Sequence, residues 1–415
     1  MPASTVPWID RLSRSLRPIS GCSRRHLGLS AFALALAGHA LPDDALAGCK
    51  KPGKKCDKSK DCCDGAKCKN KKCKCKSGRT ECGGSCVDLD NDANHCGSCN
   101  AACSSGETCQ GGACTADGNS GGDGNGNGGG NGNQGFEFAL AWGEPGTENS
   151  QFRYPAGIAI NRFDWIYVTD LDNNRVQVFE TNGDFNGVFG TEGDNDGQFI
   201  HPLRIAVGPD DEVYVTDGGD RCQRFDLGGN LQLGWDGLDG AGAFGNPRGA
   251  VVSADGVVFV ADTENHRIQK FSAIGEYLGF FGVAGQDEGE LNLPEGLALN
   301  SDGDLVIANM FNHRIDTFSP DGDFRFGFGG FGSGDGQFWF PQAVAIAANG
   351  DLFVTDSGNN RVQQFDATGQ FIRVIGEPGA GDGQFDFPED LALDSAGNLY
   401  VTDAGNNRVQ KFSPA

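Results

Sequence analysis

Three groups of residues in this chain of 415 could do chemistry. The first is an acid–base marker, Thr355-Asp356 followed by Asn360-Arg361. It recurs as Asp170 with Arg175, Asp217 with Arg221, Asp262 with Arg267, Asn309 with Arg314, Asp356 with Arg361 and Asp403 with Arg408. A carboxylate beside a guanidinium can orient a substrate or move a proton. Six similar pairs repeated along a chain read instead as a structural clasp, tying the turn after one strand to the start of the next.

The second group follows a repeated proline: Arg204, Arg248, Glu295, Gln342, Glu389 and Asp390, with Ala156 and Leu203 at the matching places in other copies. Here the copies differ most in chemistry while their surroundings repeat. They are the candidate binding residues, at a central rim that could take a small polar ligand, a peptide or a cation. The third group is His201, His266 and His313. Imidazoles can hold zinc, but His266 and His313 stand where other copies have Asn174, Asn360 and Asn407, which fits a turn role better. No nucleophile beside a paired base stands out, so no catalytic residue, metal ligand or cofactor is assigned; calcium or zinc at the histidines or rim carboxylates is the alternative. Cys222 replaces a strand valine (Val176, Val362, Val409) and reads as a buried thiol.

The marker recurs at 170, 217, 262, 309, 356 and 403, so the positioning elements must repeat too. Each copy places a Phe or Leu (Phe152, Phe199, Phe244, Leu291, Phe338, Phe385) before a Pro (Pro155, Pro202, Pro247, Pro294, Pro341, Pro388). An apolar run, an Asp/Gly turn and a second β-rich run such as Leu352–Asp356 follow. A third run, as in Arg361–Phe365, and a fourth ending in aromatics, as in Tyr277–Gly282, complete the copy. Short strands at even spacing between turn residues predict one antiparallel sheet per copy, and radial repetition of such sheets predicts an all-β, six-bladed β-propeller. The sixth copy stops at Phe412 without a fourth strand, whereas Phe136–Gly143 has the fourth-strand pattern ahead of copy one. The N-terminal strand is therefore expected to complete the last blade.

Pro155-Ala156-Gly157-Ile158-Ala159, Tyr167-Val168-Thr169-Asp170 and Asn174-Arg175-Val176-Gln177 with Phe179 resemble the NHL repeat, and the likeness runs through 136–415. The resemblance implies protein or peptide partners. Some related propellers are lyases that form amidated peptide ends with a histidine-held zinc, so a metal-dependent lyase or hydrolase at the central opening is the alternative function. RNA-binding members of the family use basic surfaces. The region after Gly135 is dominated by Asp and Glu within a chain of net charge −23, which argues against nucleic acid.

Upstream the character changes. Residues 1–47 read as an export signal, with Arg24-Arg25, an apolar run from Leu27 to Ala40 and Ala45-Leu46-Ala47 as cleavage site. Ser23–Leu29 resembles a twin-arginine signal, with an ordinary secretory signal as the other reading. Leu46-Ala47-Gly48-Cys49 also matches a lipobox, which would lipidate Cys49. A Lys-rich module at 48–74 carries Cys49, Cys56, Cys62, Cys63, Cys68 and Cys73, spaced like an inhibitor cystine knot. A second module, 75–114, carries Cys75, Cys82, Cys86, Cys96, Cys99, Cys103, Cys109 and Cys114 and resembles a small module of secreted bacterial proteins. Even counts in so short a stretch point to disulfides and an oxidising destination. Residues 115–135, rich in Gly and Asn, form a linker. Nothing after the signal approaches a membrane span. The expectation is a secreted or cell-surface monomer, a non-enzymatic binding or adhesion scaffold whose partner is a protein, peptide or surface polymer.

Overall fold

A computed structural model describes residues 135–236 and 243–415, together with six short strands upstream. Those strands pair as three antiparallel hairpins: Ala66–Lys69 with Lys72–Cys75, Thr80–Cys82 with Ser85–Val87, and Glu107–Gln110 with Ala113–Ala116. They belong to a unit, Ile19–Asn131, separate from the one that contains Gly132–Ala415. The export signal, the lipidation of Cys49, the cysteine pairing and most of the linker lie outside the described residues.

From Phe136 onward the chain makes six four-stranded antiparallel sheets. Within each, the strand after the proline is first in line, as in Pro155–Ile160, and the first strands of successive blades lie side by side in a circle that closes from the sixth to the first. This is the expected propeller. The second strand is buried throughout, as in Ile166–Asp170, because it has sheet on both edges and a neighbouring blade on each face. The outermost strand alternates, as in Phe185–Phe189, since only its edge and alternate side chains meet water.

Closure follows the expected route. Phe136–Trp142 pairs antiparallel with Arg408–Pro414, from Val409 opposite Trp142 to Pro414 opposite Phe136. Trp142 then packs against Phe179 of blade one and Tyr400 of blade six, with ring centroids 5.7 and 6.1 Å away. The two ends of the ring thus share one blade, and that blade's core reaches into its neighbour.

In blades one, three and four a glycine follows Pro-x (Gly157, Gly249 and Gly296), and it shows how tightly the circle is drawn. A Cβ on Gly249 would lie 2.2 Å from the Glu295 carbonyl oxygen, and one on Gly296 would lie 2.6 Å from the Ala343 Cα. Backbones of adjacent first strands occupy the space a side chain would need. That close approach brings the residues after each proline to the axis, including Arg204 and Asp390, which stand at the glycine position in blades two and six.

Candidate functional site

The clasps stand at the end of each second strand. In blade five, Arg361 Nε donates to Asp356 at 2.7 Å and Gln363 Nε2 to the same carboxylate at 3.0 Å. The other Asp356 oxygen accepts the Trp339 N–H at 2.7 Å, and the Arg361 guanidinium donates to the Gly334 and Gln337 carbonyls. The carboxylate therefore holds the loop that enters its own blade. Matching ion pairs join Asp170–Arg175, Asp217–Arg221, Asp262–Arg267 and Asp403–Arg408 at 2.5–2.9 Å. Burial raises the carboxyl pKa of Asp170, Asp217, Asp356 and Asp403, with the hydrogen bonds and arginines opposing it.

Blade four corrects the expected pair of Asn309 with Arg314. Arg314 instead pairs with Asp316 at 2.8 Å, and Asn309 donates to Asp316 at 2.6 Å. Asp316 occupies the place of Gln363, so amide and carboxylate have exchanged positions and the buried negative charge is kept.

A second device ties blade to blade. The residue before each proline has a left-handed backbone, φ from 49° to 62° at Tyr154, His201, Asn246, Leu293, Phe340 and Phe387. Its N–H donates to the side chain of the turn residue of the preceding blade: Asn407, Asn174, Asp220, His266, His313 and Asn360 respectively, at 2.7–3.3 Å. These turn residues are themselves left-handed, with φ from 53° to 56°. His266 and His313 accept through Nδ1, which requires a neutral ring with its proton on Nε2. Burial lowers the pKa of His266, and that of His313 to about 4, which keeps both neutral.

The six rim residues converge. Arg204 lies on the axis and donates to Gln342 Oε1 at 3.1 Å and to the Glu389 and Ala156 carbonyls at 3.0 and 3.4 Å. Its guanidinium is 3.2 Å from the Glu389 carboxylate, 3.7 Å from Asp390 and 3.9 Å from Glu295, while Arg248 reaches Glu295 at 3.6 Å. Tyr154, which sequence reasoning did not include, donates its hydroxyl to Glu389 at 2.7 Å. Arg204, Arg248, Glu295, Gln342 and Glu389 are each between 1% and 4% exposed. The expected open rim is a plug.

Two guanidinium groups face three carboxylates there. Burial raises the pKa of Glu295 and lifts Asp390 to about 6, against the pull of the arginines. Burial opposes the charge on Arg204, and the surrounding Asp390, Glu389 and Glu295 outweigh it and raise the guanidinium pKa above its ordinary value. A cavity of about 80 Å³ adjoins Arg204 and Asp390, walled by Ile158, Ile205, Ala250 and Leu297. Arg204 and Asp390 give it a polar side that suits a few waters. Nε of Arg204, Nε of Arg248 and Oε2 of Glu295 have no hydrogen-bond partner within the protein. Among the described residues, no three His, Cys, Asp or Glu side chains gather as a metal-binding set.

The NHL repeat profile matches residues 152–179, 244–271, 338–365 and 385–412. Blades one, three, five and six of the ring are NHL repeats. Copies two and four of the NHL propeller, outside those matches, are the ones whose clasp departs from the pattern: Asp217 and Arg221 are one residue closer in sequence, and Asn309 and Asp316 are exchanged. Residues 64–117 match a second profile, the Stigma-specific STIG1-like protein family. No curated protein matches the chain. Among solved structures, the NHL propeller is similar to a gluconolactonase from Xanthomonas campestris, with 18% identity over 64% of this chain and 88% of that one and a TM-score of 0.51. It is also similar to a protein of unknown function from Bacteroides thetaiotaomicron, with 14% identity over 66% and 76% and a TM-score of 0.52. For virginiamycin B lyase from Staphylococcus aureus the values are 12%, 68% and 100%, with a TM-score of 0.49. At these identities the likeness is one of fold.

One surface of the NHL propeller was not singled out from sequence. Phe331, Trp339 and Phe340 of blade five gather with Phe311 and His313 of blade four. Ring centroids lie 5.0 Å apart for His313–Phe331, 5.1 Å for His313–Phe340, 5.2 Å for Phe311–Phe340 and 5.9 Å for Trp339–Phe340. Other copies carry Pro145, Glu192, Ala284 and Pro378 in place of Phe331, and Arg153, Ile200, Gly245, Asn292 and Asp386 in place of Trp339. The aromatic excess in this sector was the signal available in the sequence.

Proposed function

We propose that the NHL propeller is a non-enzymatic binding scaffold, exported with its cysteine-rich modules, that meets a protein or peptide partner through the loops entering its blades. The observation that carries this reading is the plug. Charged side chains that could have formed a site at the axis are buried and committed to one another, so recognition falls to the entry loops. Those loops are held rigidly by the clasps and latches, yet differ between blades. The cysteine-rich, Lys-bearing segment and the apparent export signal support an extracytoplasmic setting.

The competing reading is a metal-dependent lyase or hydrolase at the axis, motivated by the activity of the gluconolactonase and by the carboxylates Glu295, Glu389 and Asp390. Ion pairing with Arg204 and Arg248 disfavours it. Incubating the full-length protein with a panel of sugar lactones, with and without added calcium or zinc, tests the choice. The scaffold reading predicts no turnover above the uncatalysed rate. Turnover that disappears in Glu389→Gln/Asp390→Asn would replace it with the enzyme.

A further inference from the structure

Four large aromatic side chains stand exposed among the described residues: Phe163 (55%), Phe280 (48%), Phe331 (68%) and Trp339 (37%). The protein caps two of them with its own cations. Arg162 lies over Phe163 at 5.0 Å and Arg267 over Phe280 at 4.8 Å. No cation of the described residues lies over Phe331 or Trp339. A bare aromatic face attracts a cation through its quadrupole, most strongly in the case of indole.

The surroundings favour the same guest. Lys270 and Lys411 are the only lysines after Gly135, and most arginines are engaged in the clasps and the plug. Asp335 shares a loop with Phe331. Asn312, between Phe311 and His313, donates to the Gly285 and Glu290 carbonyls, which brings the exposed Asp287-Glu288 turn beside the cluster. Neutral His313 adds no opposing charge. Trp339 is seated by Gly358, where a Cβ would come within 2.8 Å of the indole, so that glycine leaves room for the ring.

We propose that Phe331 and Trp339 form the seat for a lysine- or arginine-bearing segment of a partner protein, with the cation on the rings and the neighbouring carboxylates drawing it in. This rests on the scaffold reading and names the chemistry of its partner. The complementarity is of charge as well as shape: an acidic ring bearing uncovered aromatics selects a basic chain over a neutral glycan or a second acidic copy of itself.

The test uses the full-length protein at physiological ionic strength, titrated with a fluorescent peptide of alternating Lys, Gly and Ser and with the same peptide fully acetylated on lysine. The proposal predicts saturable binding of the lysine peptide, about tenfold weaker binding of the acetylated one, and a similar loss in Phe331→Ser and in Trp339→Asn. Phe331 is 68% exposed, so Phe331→Ser should leave the melting temperature unchanged, and for both variants melting is measured on the same samples and binding is read well below it. Equal binding of the two peptides, or wild-type affinity in both variants, overturns the proposal and reduces the attraction to diffuse surface charge. Preferential binding of a neutral oligosaccharide, or a dimer in sedimentation that dissociates in Phe331→Ser, overturns it in favour of a different occupant. None of these results bears on the lactone assay, so the two readings fail separately.

Discussion

Replacing Arg204 by methionine keeps most of the side chain's volume and removes its charge from the axis. Wild-type Arg204, 3% exposed, satisfies Gln342, two backbone carbonyls and the Glu389 carboxylate within 3.4 Å, and faces Asp390 and Glu295 within 3.9 Å. Without it, Arg248 is the only cation left beside the three carboxylates, and it reaches just one of them, Glu295. Breaking a buried ion pair from one side costs about 3–5 kcal/mol. For a domain of this size that is roughly 6–12 °C in melting temperature. The loss should shrink with acid. Losing the guanidinium raises the folded-state pKa of Asp390, already about 6 in the wild type, further above its unfolded value. A carboxyl raised in the folded state gains stability as pH falls through that value, so the gap between Arg204→Met and wild type narrows from pH 7.5 to 5.5. Adding Glu389→Gln should recover part of it. Calorimetry at several pH values reads all three. Melting within 1 °C of wild type at pH 7.5, or a gap independent of pH, would refute the plug as an electrostatic unit.

Other parts of the ring give independent checks. Deleting Phe136–Gly143 removes the strand paired with Arg408–Pro414 and the Trp142 contacts to blades one and six. The whole domain should then melt at least 10 °C lower, in one transition, by roughly the scaling of core loss with melting temperature. In blade four, Asp316→Asn leaves Arg314 without its carboxylate and should cost about 2–4 kcal/mol in urea unfolding, whereas Asn309→Asp/Asp316→Gln restores the common arrangement and should lie within about 1 kcal/mol of wild type. His313 has a folded-state pKa of about 4, below its ordinary 6.5, so its contribution is complete above about pH 6.5 and is lost as pH falls toward 4. For this partly exposed ring the loss is about 2 kcal/mol, and His313→Asn should remove that part of the acid sensitivity while keeping the latch to Phe340.

The ring and its closure were legible because both depend on periodic, local signals. The sixth copy has three runs of its own, and 136–142 supplies the alternation of the fourth. The clasp was legible in five blades. It was obscured in blade four because Asn309 and Asp316 are seven residues apart in sequence and become partners only when adjacent strands pair in register. The rim residues were legible as a convergent set, since each follows a proline at the start of a first strand. Their burial was not. It depends on how closely first strands of different blades approach, which Gly249 and Gly296 permit and no single copy reveals. Tyr154 and the Phe331–Trp339 surface escaped for a related reason: each is completed by a neighbouring blade, and only the assembled ring puts Tyr154 on Glu389 or His313 between Phe331 and Phe340.

The axis is structural and the binding face lies apart from it, and one titration tests that separation. Arg204→Met, held well below its melting temperature, is titrated with the lysine peptide alongside wild type and Phe331→Ser. Wild-type affinity is expected for the folded Arg204→Met protein and about tenfold weaker binding for Phe331→Ser. Loss of binding in Arg204→Met with Phe331→Ser unaffected would put the ligand at the axis and contradict that separation.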